Sequence, residues 1–193
     1  MAPASEKMPP KATTVIRPTT AQPATASSPN RDITLVIRKL PAGVAIWVRI
    51  AGNAIAAKGS RVIPTSRNEG RAKGRNRLVS HARAGHFLFL DSDMAPDSDD
   101  FLGRWLSLIA QENPAVAFGG FSLLQVEPRP DQALHRAMAG HSDCLPASAR
   151  RAAPEKHVFT SNLLVRRDVF ESEAFDPGFS GWGWEDVEWA MRV

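Results

Sequence analysis

The stretch "HFLFLDSDMAPDSDDFLGRW", residues 86–105, constrains the fold more than any other part of the chain. Its opening apolar run suits a strand covered on both faces, as in a sheet packed between helices. Five aspartates then follow within ten positions. Neighbouring carboxylates repel and raise each other's pKa, so packing alone gives no reason to gather them. Two arrangements do: a bound cation, or a solvated loop that caps a helix. Asp97 or Ser98 is placed to cap one, with Asp99 and Asp100 at its positive end. Phe101, Trp105, Leu108 and Ile109 then share one face, and Asn113-Pro114 stops the helix.

The remaining pattern alternates strand and helix. "DITLVIRKLPAG" predicts a strand at Ile33–Ile37 and a turn at Pro41–Gly43, and "RVIPT" and "AVAFGGF" predict two more strands. "VAIWVRIAGNAIAAKG" is expected to form a helix ending near Gly59, and "NEGRAKGRNRLVSHARA" another. "NLLVRRDVF" reads as a strand running into a short helix, whereas residues 127–157 show no clean period. Such alternation predicts an α/β sheet with parallel strands. At 193 residues the chain suits one domain, expected over residues 31–193. Residues 1–30 hold six prolines among many Ala, Thr and Ser, a composition too poor in core-forming residues to predict order. "TTVIRPT", residues 13–19, is the exception and could form a short first strand.

Several classes are excluded. No apolar run approaches the roughly 20 residues of a membrane span, and there is no secretory h-region. The single cysteine, Cys144, permits no internal disulfide and is compatible with a reducing compartment, so a cytoplasmic location is expected. The net charge of +4 is unevenly spread: eight Lys/Arg stand against one acid, Glu69, between Lys58 and Arg83. Such a block favours an anionic partner.

In open α/β sheets, ligands bind beyond the carboxyl ends of strands, where Asp91 and Asp93 fall. Paired carboxylates there suit Mg²⁺ or Mn²⁺, which share such ligands with substrate phosphates. A calcium EF-hand loop is excluded, because its sixth and twelfth positions would be Pro96 and Leu102. A haloacid-dehalogenase-type phosphatase is disfavoured by Ala95, where that motif has Thr or Val. A nucleotide-sugar transferase and a plain capping loop remain.

A second motif weighs against the capping loop. In "FDPGFSGWGWEDVEWAMRV", residues 175–193, glycines interleave with Phe179, Trp182 and Trp184 ahead of Glu185-Asp186. Aromatic faces can pack on sugar rings, and a carboxylate among them could act as a general base. A tryptophan-rich turn packed on the core would explain that segment taken alone.

Together, "GRNRLVSHARAGHFLFLDSDMAP" and "FTSNLLVRRDVFESEAFDPGFSGWGWEDVEWAMR" resemble a GT-A-fold glycosyltransferase of family 2 with a galactosyltransferase-like carboxyl-terminal segment. "LDSDMAP" is also similar to chondroitin-polymerase-type domains. The resemblance covers about residues 61–125 and 158–193. It implies a Rossmann-like, mostly parallel sheet flanked by helices. It further implies Asp91 and Asp93 as metal ligands for Mn²⁺ or Mg²⁺, and Asp186 as the base of an inverting transfer, with Glu185 beside it. Arg71, Lys73, Arg75, Asn76 and Asp91 would bind the donor, a UDP-sugar above others. Trp182, Gly183 and Trp184, within the segment 158–193, would face a glycan or other hydroxyl acceptor.

The chain departs from that pattern in three places, the first being the Pro/Ala/Ser stretch that follows "TTVIRPT" where a full helix is expected. "ITLVI" runs into Arg38-Lys39-Leu40-Pro41, where the family usually has an acid contacting the donor nucleoside. The chain ends at Val193, before the histidine that often completes the family's metal site, so it reads as shortened. An inactive fragment of that fold is one alternative. A basic-patch module for nucleic acid or acidic glycan is another, although no nucleic-acid motif accompanies the patch. His135, His141, Asp143 and Cys144 match no firm zinc spacing, His157 is expected to be structural, and Trp47 and Trp105 to be core.

Overall fold

The structure is a computed structural model, and it describes residues 12–14, 33–37, 44–50, 60–63, 65, 68–91, 94–180 and 183–193. The expected flexible segment 1–30 lies outside these residues except for a strand at Ala12–Thr14 (β1), which overlaps the anticipated first strand. Asp93, Gly181 and Trp182 also lie outside them.

Further along are the strands Ile33–Ile37 (β2), Val44–Ile50 (β3) and Ser60–Val62 (β4), then the helix Arg71–His81 (α1). The strands His86–Leu90 (β5) and Met94–Pro96 (β6) precede the helix Phe101–Glu112 (α2). Val116–Phe118 (β7) and Phe121–Ser122 (β8) follow. The patternless excursion contains two helices, Ala133–His141 (α3) and Ala147–Arg150 (α4), and a 3-10 turn at Pro154–His157. Asn162–Arg166 (β9) runs directly into Arg167–Ser172 (α5), as the sequence suggests, and Glu185–Arg192 (α6) follows.

Six strands form one sheet in the order β4-β2-β3-β5-β9-β7, and β6-β1-β8 form a second. In the larger sheet only β3 and β5 run parallel; the other four pairings are antiparallel. The expectation of a mostly parallel sheet is therefore corrected among the described strands. The main reason is the segment expected to be a helix, which instead supplies β3. Its Val44, Ile46, Val48 and Ile50 recur at every second position, a strand period that outweighs the helix reading. Residues 38–43 are too few for a parallel crossover, so β2 and β3 pair antiparallel.

The buried centre is the β5–β9 pair, in which Phe87 faces Val165, Leu88 faces Leu164 and Phe89 faces Leu163. Because side chains alternate along a strand, one face carries Phe87, Phe89, Leu163 and Val165. These pack with Ala72, Leu78 and Val79 of α1, Phe170 of α5, Phe175, and Trp189 of α6. The other face carries Leu88 and Leu164 against Phe101, Trp105 and Leu108 of α2. Helices thus cover both faces, which explains why "FLFL" and "LLV" are apolar without alternation. Asn113 ends α2 in the left-handed conformation, just before Pro114. At its start, Asp100 occupies the cap position without a side-chain cap bond. Asp97 instead accepts a 2.7 Å bond from Ser122 Oγ, so the expected Asp97 or Ser98 side-chain cap is replaced by a link to β8.

Candidate active site

Antiparallel pairing of β5 with β9 aligns Leu90 with Asn162, so the residues just beyond the carboxyl end of β5 meet those just before β9. Asp91 Oδ2 accepts a 2.7 Å hydrogen bond from Ser161 Oγ. Thr160, one residue earlier, donates from its backbone N–H (3.0 Å) and Oγ1 (2.9 Å) to Asp186 Oδ2. Asp186 comes from the first turn of α6, where acids sit favourably against the helix dipole. The two motifs, far apart in sequence, therefore close on the Thr160-Ser161 pair.

Arg75 joins them from the other side. Its Nη1 donates to Glu185 Oε1 at 3.1 Å and to Asp186 Oδ1 at 3.2 Å, and its Nη2 lies 4.0 Å from Asp91 Oδ1. Arg71, one turn earlier on α1, stands 3.8 Å from Glu185. Cations at the start of a helix oppose its dipole; the three carboxylates offset that cost here. Arg75 is only 8% exposed and Glu185 only 5%, and the guanidinium also lies 5.5 Å from the centre of the Phe175 ring.

Burial pushes the Asp186 carboxyl above its ordinary value, and nearby Glu185 adds to the rise. The Arg75 cation and the Thr160 donors pull the other way without cancelling it. Its side chain is 18% exposed, so it is both harder to ionise and accessible. That pairing of properties suits proton transfer.

The other predicted residues separate into groups. Asn76 spends both ends of its amide on the Phe175 backbone, donating to the carbonyl (2.7 Å) and accepting from the N–H (3.1 Å). Lys73 projects from the opposite face of α1 to Arg71 and Arg75, towards a shallow depression that it lines with Glu69 and Arg77. Gly183 has φ +103°, in the region that favours glycine. Trp184 has φ 68° and is 76% exposed. A left-handed backbone is costly for a bulky residue, and here it holds an indole in solvent at the start of α6. Among the described residues no group of three or more His, Cys, Asp or Glu is arranged to hold a metal.

Sequence reasoning missed Thr160, Ser161 and the Phe175 ring. No local pattern marks them; the β5–β9 register does, because it sets Ser161 opposite Asp91. Residues 49–173 match the family described as Glycosyl transferase family 2. No curated protein matches the chain. The matched span contains Arg75, Asp91, Thr160 and Ser161 but ends before Glu185 and Asp186.

Proposed function

The chain belongs to glycosyl transferase family 2, a family of GT-A α/β transferases that use nucleotide-sugar donors, and we propose that residues 31–193 form a metal-dependent inverting transferase domain. The donor is a UDP-sugar and the acceptor a glycan or other hydroxyl. The observation that carries this reading is the convergence of Asp91 and Asp186 on Arg75, with Asp186 raised by burial.

Asp186 accepts the proton of the acceptor hydroxyl. That oxygen forms its bond to the anomeric carbon as the bond to the diphosphate oxygen breaks on the opposite face, and the nucleoside diphosphate leaves. Thr160 holds Asp186 Oδ2, and Arg75 steadies Oδ1. Buried Glu185 is a positioning residue that fixes Arg75. Arg71 and Arg75 offset negative charge on the departing diphosphate. Gly183 and Trp184 line the acceptor side, with the exposed indole offering its face to a sugar ring. Trp182 is assigned there from its place in the motif.

The residues around Asp91 fit a divalent ion that takes most of its ligands from the diphosphate and water. One Asp91 oxygen is oriented by Ser161, and the other lies 4.0 Å from Arg75 Nη2. Asp91 and Asp93 would hold Mn²⁺ or Mg²⁺, which would supply charge compensation for the leaving group. Titration of the chain with a panel of nucleotide sugars, with and without Mn²⁺, tests this. Binding should require the ion and vanish in Asp91→Asn/Asp93→Asn. Binding that survives both the double substitution and EDTA would overturn the metal assignment.

A further inference from the structure

Asp91 and Ser161 face each other one step beyond the β5–β9 ladder, next to the aligned Leu90 and Asn162. Neither is loosely held. The Asp91 carbonyl accepts a 3.1 Å bond from the Met94 N–H, which turns the chain sharply after β5. Ser161 stands between two buried residues, Thr160 (1% exposed) and Asn162 (0%). Thr160 is tied to Asp186 through its N–H and Oγ1. Asn162 Nδ2 donates to the Gly120 carbonyl at 3.1 Å. The Ser161 hydroxyl is thus aimed by backbone that cannot shift without breaking buried hydrogen bonds.

That hydroxyl donates to Asp91 Oδ2 at 2.7 Å, a hydrogen bond strengthened by the charge on its acceptor. It draws on the lone pairs of Oδ2 and holds the carboxylate in one orientation. Oδ1 lies 4.0 Å from Arg75 Nη2, outside hydrogen-bond range. The Asp91 side chain is 28% exposed, so the carboxylate is accessible.

Divalent ions differ in what they ask of a carboxylate. Ca²⁺ often takes both oxygens and tolerates irregular coordination, whereas Mg²⁺ demands a compact octahedron and keeps several waters. We propose that Ser161 is a positioning residue that sets the ion preference of this site. By engaging Oδ2 it leaves Asp91 one oxygen for the ion, which favours Mg²⁺ or Mn²⁺ over Ca²⁺. The inference rests on the metal-dependent reading above. The Arg75 guanidinium repels a bare cation beside Oδ1, so the ion binds together with the diphosphate that neutralises it.

Calorimetric titration of the full chain with UDP in saturating Mg²⁺, Mn²⁺ or Ca²⁺ reads this preference without turnover. The wild type should bind UDP at least about tenfold more tightly with Mg²⁺ or Mn²⁺ than with Ca²⁺. Ser161→Ala should shrink the Mg²⁺-to-Ca²⁺ ratio by at least about fivefold, and Ser161→Thr, which keeps the hydroxyl, should restore it. A merely structural role would weaken all three complexes alike and leave the ratio where it was. Wild-type binding of UDP that is absent, or that needs no divalent ion, would overturn the metal reading and this inference with it. Ion-dependent binding with an unchanged ratio in Ser161→Ala would overturn the role of Ser161 alone. So would equal use of Mg²⁺ and Ca²⁺ by the wild type, a comparison that stands even if Ser161→Ala does not fold.

Discussion

Arg75 carries more of the site than any other side chain, because it is buried with Glu185 and also reaches Asp186 and Asp91. Its truncation leaves a carboxylate buried without its partner. Arg75→Met should therefore cost about 3–5 kcal/mol in urea denaturation, with the added change Glu185→Gln recovering part of the loss. Trp184 separates folding from function. Trp184→Gly relieves a left-handed backbone strained by about 1–2 kcal/mol, so the variant should be the more stable protein while its KM for acceptor rises. A KM unchanged by this substitution would remove Trp184 from the acceptor side. Asp186 makes a pH prediction. Because its folded-state pKa is raised above the ordinary 3.8, its contribution to stability is fully present below 3.8 and is lost as pH rises through the raised value. Urea midpoints followed across pH should show the wild type losing ground to Asp186→Asn over that window. Transfer should rise over the same window, because the base must be ionised. At this scale the acids were legible, since clustered aspartates and Glu185-Asp186 after interleaved glycines and tryptophans demand a reason. Thr160 and Ser161 were not, because nothing in "FTSN" distinguishes it from an ordinary loop.

The elements that place these residues were legible where burial dictates composition. Phe87–Leu90 of β5 and Leu163–Val165 of β9 are apolar without a break because helices cover both faces, and the Phe101–Trp105–Leu108 stripe of α2 has the period of a helix packed on one side. β3 was misread because alanines and a following glycine mask its strand period, and the local pattern could not reveal its partners. The long excursion concealed α3 and α4 because most of their side chains are solvent-facing, leaving little apolar stripe to detect. Asn76 links α1 to the segment entering α6 through two bonds to the Phe175 backbone. Asn76→Ala should cost about 1–3 kcal/mol and, by loosening the approach of α6 to α1, lower the transfer rate more than donor affinity. Single-turnover and donor-binding measurements on the variant separate those effects. A variant that loses stability while retaining its transfer rate would confine Asn76 to a structural role.

For the whole molecule, the site exists because one antiparallel register and two helix N-termini meet at the same edge of the sheet. The register brings Asp91 to Ser161, α1 contributes Arg71 and Arg75, and α6 contributes Glu185 and Asp186. Family membership covers the first two contributions; the third comes from outside the matched span and rests on geometry. Among the described residues no helix is long and apolar enough to cross a membrane. The central claim is that Asp186 activates an acceptor hydroxyl for displacement at the anomeric carbon. Its most direct test is transfer from whichever UDP-sugar supports turnover, comparing wild type with Asp186→Asn and reading the product's anomeric configuration by proton NMR. An inverted anomer is expected, with a fall of about 10²–10⁴-fold in kcat and donor affinity unchanged. A retained anomer, or an Asp186→Asn variant that transfers at the wild-type rate, would contradict it.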